Sequence, residues 1–368
     1  MSDKLLYQIA VTKIPLVGTI AAKNLISWCG GSREVFEATK DELLRVPGIG
    51  EATAKNILKQ DVLREAEKEV EFIEKNGIRV HYYTDKEYPA RLRKHNDCPL
   101  LLFYKGTANL NAARIVGIVG TRQPTHHGIS ICEEITEGLR PYNVIILSGL
   151  AYGVDIAAHK TALASGQQTI GVLGHGLGRI YPHAHRKVAD EMTEQGGLLT
   201  EFTSTRPPDR ENFPMRNRIV AGLCDALIVI ETEERGGSMI TAARAGQYNK
   251  PLFAIPGRLR DRMSSGCNLL IRQNKATLLE NADQLAYTMH WQLAEDETEI
   301  AAQQARLFQE LTETEKQIID ILSENDESIF DVVLRQIEMS SGELSATLLN
   351  LEFQGLVKSL PGKRFALA

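Results

Sequence analysis

Four short stretches of the chain carry side chains suited to holding an anion. An apolar run, Ile115–Val119, ends in Gly120, Thr121 and Arg122. A second run ends at Ser148 and Gly149, just before "LAYGVDIAAHKTAL". In "NFPMRNRIV", Phe213, Arg216, Asn217 and Arg218 cluster around Pro214, a residue suited to the first turn of a helix. The fourth stretch, "ETEERGGSMIT", opens a helix at Gly236, Gly237 and Ser238, and Lys250 follows as a further cation. Helix N-termini with free amides, small residues that permit close approach, and several guanidinium groups together make an anion-binding edge. Arginine grips phosphate in a bidentate way, and Phe213 offers a face on which a base can stack. Taken singly, each arginine reads as a surface salt bridge and Phe213 as a core contact. Their convergence favours a phosphate-bearing ligand. Arg216 and Arg218 lie two residues apart, so on a helix one is expected at the ligand and the other at a carboxylate.

Other chemistries have less to stand on. Asp155 and His159 are spaced i,i+4 and would serve as an acid/base pair. Asp155 equally suits the dipole of a helix's first turn and His159 suits packing, which is the expected reading. His175, His183 and His185 lie in "GHGLGRIYPHAH" with no cysteine or carboxylate near them, so no metal site is expected. "GHGLG" imitates part of a dinucleotide fingerprint but follows the third strand of its series. No acid near the end of "NVIILSG" is placed to meet a ribose, so no cofactor is expected.

Composition narrows the partners. The net charge of −5 argues against a uniformly basic nucleic-acid binder, so any polyanion must meet a local basic patch. The five cysteines (Cys29, Cys98, Cys132, Cys224 and Cys267) are scattered without a C-x-x-C and read as reduced thiols in a cytoplasmic protein. No apolar run reaches the roughly 18 residues of a membrane span, and "MSDKLLYQIAVTK" lacks the apolar core of a signal peptide. No membrane partner is expected.

These stretches need elements to position them. From Arg114 onward, strand-like runs (Ile115–Gly120, Asn143–Ser148, Thr169–Gly174, Leu198–Phe202, Ala226–Glu231, Pro251–Pro256, Ala276–Glu280) alternate with helical patterns. Ile78–Tyr83 and Leu100–Tyr104 add strands on the border of this region. Continuous apolar strands mean a sheet covered on both faces, so the fold class is α/β, an extended Rossmann-like doubly wound parallel sheet. In such folds ligands sit outside the carboxyl ends of the strands, where all four stretches fall.

At 368 residues the chain exceeds what one core usually serves, and its ends read as separate domains. "IPLVGTIAAKNLI" (Ile14–Ile26) repeats without gaps as "VPGIGEATAKNIL" (Val46–Leu58). This resembles a tandem helix-hairpin-helix, a SAM-like arrangement whose helix-start amides often hold a DNA phosphate. A DNA grip and a purely helical packing domain are both open at this point. The acidic stretch Leu293–Gln304 reads as a linker. The tail shows three helical patterns and a Pro-Gly hairpin, a winged helix. Gln309–Ala368 carries eleven acids and five bases, and its third helix has Glu343 and Glu352 but no Lys or Arg, which favours protein contact or packing over the major groove. The expected domains are 1–75 (helical), 76–293 (Rossmann-like), 294–308 (linker) and 309–368 (winged helix).

"GIVGTR", "SGLAYGVDIAAHKTAL", "GLGRIYP", "NFPMRNRIVAGL", "GGSMITAARA", "FAIPG" and "SGCNLLI" resemble, in order, the motifs of the DNA-processing protein A (DprA/Smf) family, from about Pro89 to Leu285. The resemblance implies a non-enzymatic single-stranded DNA-binding protein that protects incoming DNA and helps load the RecA recombinase in natural transformation. It implies homodimers packed through the Rossmann-like domain, here through an apolar cluster of Leu269, Leu270, Ile271 and Leu278. It carries DNA contacts to Arg122, Phe213, Arg216, Asn217, Arg218 and Ser238; with the neighbouring strand-end and helix-start residues Gly120, Thr121, Ser148, Gly149 and Gly237, and with Lys250, these are the expected DNA-binding residues. Two departures stand out: Gly236 replaces the family's usual serine, and "IRQNKATLL" carries an extra residue. The rival is a phosphoribohydrolase of the lysine decarboxylase-like group, whose chemistry needs a glutamate in the region that Ala242 and Ala243 occupy here.

Overall fold

A computed structural model describes residues 3–294, 311–324, 328–337, 339–353 and 356–367. Each apolar run singled out in the sequence is a strand: β1 (Arg79–Tyr82), β2 (Leu101–Gly106), β3 (Ile115–Val119), β4 (Ile145–Ser148), β5 (Thr169–Val172), β6 (Gly196–Thr200), β7 (Ala226–Val229), β8 (Leu252–Ala254) and β9 (Thr277–Leu278). They form one sheet in the order β1-β2-β6-β5-β4-β3-β7-β8-β9. Strands β3 to β9 pair in parallel, whereas β1 and β2 run antiparallel at one edge, so the sheet is mixed rather than wholly parallel.

Alternation along the strands divides the core in two. Ile115, Leu147, Ile170, Leu227 and Val229 pack beneath the helices Asn212–Leu223 and Gly237–Gln247. Val116, Ile118, Ile146, Ile228 and Phe253 face the helices His126–Gly138 and Val154–Ala164. Both faces are dry, which is why these strands read as unbroken apolar runs.

The N-terminal helices join the sheet rather than stand apart. Ile9, Leu25, Leu43, Ile57 and Val70 share one core with Tyr82, Leu101 and Phe103 of β1 and β2, within a compact unit spanning Met1–Trp291. The expected boundary at residue 75 therefore falls in the last turn of the helix Asp61–Asn76, inside one packed unit. The two hairpins differ at their tips. Gly48 takes a left-handed φ of +87°, and Leu16, its counterpart 32 residues earlier, is forced to +67° while 78% exposed. A side chain costs energy there, and glycine does not. Lys23 of the first copy donates to the Asn96 carbonyl (2.9 Å) and to Cys98 Sγ (3.0 Å), anchoring the hairpin to the sheet region, whereas its counterpart Lys55 is exposed.

The second compact unit, Gln292–Ala368, holds the winged helix. Its helices Glu313–Glu324, Phe330–Gln336 and Ser341–Phe353 enclose Ile318, Leu322, Val333, Leu344, Leu348 and Leu351. The strands β10 (Ser328–Ile329), β11 (Val357–Leu360) and β12 (Arg364–Leu367) pair in the order β10-β12-β11. The short β10 was not legible as a strand. The expected linker, 294–308, lies outside the described residues except for residue 294.

Candidate nucleic-acid interface

The strand order reverses between β3 and β7. Strands β4, β5 and β6 extend to one side and β8 and β9 to the other, so a crevice must open outside the carboxyl ends of β3 and β7. Gly120, Thr121 and Arg122 leave β3 there, and the segment Thr232–Ser238 leaves β7. The first loop is stitched down by Thr121 N–H donating to the Glu231 carbonyl (2.7 Å) and Val154 N–H donating to the Thr121 carbonyl (3.2 Å). Gly153, at φ +81°, lies so close that a Cβ would strike the Thr121 carbonyl oxygen and the Arg122 backbone.

An open cleft of about 710 Å³ results. Arg122 is exposed, with its guanidinium carbon 5.4 Å from the centre of the half-buried Phe213 ring. Arg216 is 6% exposed and 4.0 Å from the Asp155 carboxylate, and among the described residues its Nε has no hydrogen-bond partner. Burial works against its charge and Asp155 works for it. The hydroxyl of buried Ser238 is also unpaired, and the helix it opens has no side-chain cap. Asn217 and Gly237 complete this part of the lining. Buried polar atoms left unpaired are rare; of the five among the described residues, Arg216 Nε and Ser238 Oγ lie at this crevice, and His81 Nε2, His95 Nε2 and Glu201 Oε1 lie elsewhere.

The loop after β3, Gly120-Thr121-Arg122, lacks the G-x-G-x-x-G of a dinucleotide fold, and the structure shows what replaces it. In a dinucleotide fold the pyrophosphate rests on the helix that follows the first strand. Here that helix, His126–Gly138, is sealed by a carboxylate: Glu231 accepts from Thr125 N–H (2.9 Å) and from the Thr125 hydroxyl (2.6 Å), and it crowds Gly128. Glu231 already occupies the anion's place, and the uncapped helix starts at the cleft are those of Asn212–Leu223 and Gly237–Gln247.

Several expected contacts lie elsewhere. Arg218 is 8% exposed and turned away from the cleft, paired with Glu201 and donating to the Asp97 carbonyl; both arginines meet a carboxylate, but only Arg216 lines the cleft. Burial raises the Glu201 carboxyl to about 7 against the pull of Arg218. Lys250 immediately precedes Pro251 and β8, at the amino end of the sheet beside Asp225, opposite the cleft. The Ser148 hydroxyl is buried and donates to the Ile118 carbonyl (2.6 Å). Gly149 lies under Arg216, where any side chain would meet the guanidinium and Asp155. Leu270 is 4% exposed and belongs to the core, whereas Leu269 and Ile271 are half-buried and Leu278 is exposed on the edge strand.

Asp155 and His159 do not pair. Fully buried, His159 meets the Thr169 hydroxyl through Nδ1 (2.6 Å) and the Gly149 carbonyl through Nε2, and burial lowers it to about 4. His175 accepts from Tyr181 N–H and His185 meets the Leu150 carbonyl. Ala242 is buried and Ala243 exposed on a helix that bears no carboxylate.

Sequence reading missed the aromatic rim. Tyr152 and Tyr181 are each about half exposed, and with Phe213 and His175 they wall a recess that adjoins the cleft; the Tyr181 and Phe213 ring centres are 6.4 Å apart. Both tyrosines sit in loops beyond strand ends, next to Gly153 and Pro182, and that position was the available signal. Arg210, exposed before the Asn212–Leu223 helix, also lines the cleft.

The chain matches the family model for DNA recombination-mediator protein A over residues 79–290, the DprA winged helix domain over 302–363 and a helix-hairpin-helix motif over 32–59. The last covers the second hairpin, the copy with glycine at its tip. Protein Smf of Synechocystis sp. is 30% identical over 98% of each chain. The crystal structure of DNA processing protein A from Streptococcus pneumoniae is 32% identical with a TM-score of 0.67, covering 77% of this chain and 97% of that one. A structure of the Helicobacter pylori protein, which concerns its single-stranded DNA binding mode, is 31% identical with a TM-score of 0.53, covering 58% of this chain and 95% of that one. On sheet, flanking domains and motifs alike, the chain belongs to the DNA recombination-mediator protein A (DprA/Smf) family.

Proposed function

We propose that the switch-point cleft binds single-stranded DNA without turning it over, in the cytoplasm. The observation that carries this reading is Arg122 lying 5.4 Å over Phe213, a phosphate-gripping cation and a base-stacking platform side by side. The Helicobacter pylori relative's single-stranded DNA binding supports it. Family membership supports a further step, in which the bound strand is protected and handed to the RecA recombinase during natural transformation. The test is a gel shift comparing single-stranded, duplex and mononucleotide ligands. Preference for the single strand is expected; tight mononucleotide binding with turnover would favour the hydrolase.

The protein acts as a homodimer in this proposal, through the half-buried Leu269 and Ile271 of helix Ser265–Arg272 and the exposed Leu278 of β9. Ile271→Glu is expected to give a folded monomer, because a charge desolvated in an apolar interface is strongly unfavourable. Light scattering that showed an unchanged dimer would place the interface elsewhere.

A further inference from the structure

The loop that leaves β8 reads "GRLRDRM" from Gly257 to Met263. Like the cleft loops it lies beyond the carboxyl ends of the parallel strands. Arg258, Leu259 and Arg260 are exposed, Leu259 by 93%, and neither arginine has an ion pair among the described residues. The base of the loop is held by reciprocal hydrogen bonds. Gly257 N–H donates to the Asn268 side-chain carbonyl (3.2 Å), and the Asn268 amide donates back to the Gly257 carbonyl (3.0 Å). Its tip turns through Asp261 N–H donating to the Arg258 carbonyl (3.0 Å).

The loop is also fastened to the cleft wall. Gly266 N–H donates to the Thr232 carbonyl (2.8 Å), and Arg262 Nε lies 3.0 Å from the Glu233 carboxylate. Thr232 and Glu233 both line the cleft. Arg262 thus offsets an acid that would repel a phosphate. Arg258 and Arg260 remain as two cations held on a fixed base beside the cleft, flanking an apolar side chain.

We infer that this loop is a second contact for the DNA backbone, continuing the track of the strand beyond the cleft on the β8 side. The inference rests on the cleft being the DNA site. Two phosphodiesters meet Arg258 and Arg260, and Leu259 lies against the sugar or base between them. A loop serving only to link β8 to the next helix has no need of two unpaired arginines around an exposed leucine.

The double variant Arg258→Ala/Arg260→Ala tests it in the full chain, with single-stranded oligonucleotides of about 6 and about 30 nucleotides, one within and one well beyond typical site sizes of about 4–16 nucleotides. Two lost phosphate contacts should reduce the log–log salt slope on the long oligonucleotide by about 1.4. The short one, held in the cleft, should bind as before, and Arg258→Lys/Arg260→Lys should restore the slope. An unchanged slope on the long oligonucleotide would overturn the inference. So would equal losses on both lengths, which would indicate a diffuse field instead of a track. Arg122→Ala measured on the short oligonucleotide keeps the two claims apart, because it reports on the cleft alone.

Discussion

The cleft and the third helix of the winged helix both present a helix end to solvent, and they treat it in opposite ways. At the helix Ser341–Phe353, the Ser340 hydroxyl accepts from Glu343 N–H (3.3 Å), and the Glu343 carboxylate accepts from Ser340 N–H (2.9 Å) and from its hydroxyl (2.8 Å). That capping box spends the first amides and places an acid over them. The outward residues Leu349 and Phe353 are apolar. At the cleft, the helices Asn212–Leu223 and Gly237–Gln247 have no side-chain cap, and the Ser238 hydroxyl and Arg216 Nε are unspent. A DNA-binding shape is common to both regions; unspent donors distinguish them. Glu231, which seals the His126–Gly138 helix, repeats the contrast inside the sheet region.

The largest effect concerns the footing of the cleft. His159, lowered to about 4 from an ordinary 6.5, holds the Gly149 carbonyl in its neutral form. As pH falls the unfolded chain takes up the proton first, so this stabilisation is complete above pH 6.5 and lost progressively toward pH 4. The span corresponds to about 3 kcal/mol of unfolding free energy. Urea unfolding of wild type and His159→Gln across that range is expected to show a shallower decline in the variant. Some decline remains, because burial shifts His81, His95 and His175 in the same direction. Equal slopes would remove His159 from the footing.

Gly153→Ala probes the loop above. Its added methyl group meets backbone at a left-handed φ, so the Thr121–Arg122 segment must move. Strain of about 1–3 kcal/mol is expected, and with it a loss of single-strand affinity of about tenfold. Undiminished binding by the folded variant would mean that Arg122 need not be held in place. The smallest effect is on the other side of the comparison. Deleting Gln309–Ala368 should change single-strand affinity by no more than about threefold, since the segment offers few cations to displace counterions. A tenfold loss would make the capped helix a DNA contact after all.

Much of this was legible in the residues. Unbroken apolar runs mark strands buried on both faces, and Gly120–Arg122, Phe213 and Gly237–Ser238 fall at strand ends or helix starts. Direction was legible for β3 to β9, which alternate with helical patterns, but not at the edge, where a buried run reads the same parallel or antiparallel and β1 and β2 gave no sign of their antiparallel pairing. Nor was the end of the sheet to which a cation belongs. Lys250 precedes β8 by two residues, and only strand polarity places it away from the cleft. The i,i+2 spacing of Arg216 and Arg218 predicted divergent fates. Both are buried, and which one faces the cleft depended on Glu201, beyond β6 and 17 residues distant, which holds Arg218. Tyr152 and Tyr181 carry no motif of their own, and their partnership with Phe213 exists only in the folded chain.

The central claim, that Arg122 and Phe213 divide phosphate and base between them, is tested most directly by the salt dependence of single-strand binding in their alanine variants. Circular dichroism should first confirm that both are folded, since Phe213 also packs beneath Arg122. Arg122→Ala is expected to weaken binding to all sequences alike and to flatten the log–log salt slope by about 0.7, one phosphate contact. Phe213→Ala is expected to cost about 1–3 kcal/mol with the slope unchanged, because stacking releases no counterions. If both folded variants bind single strands as the wild type does, the cleft is not the DNA site, and the hairpin at Gly48–Gly50 takes its place.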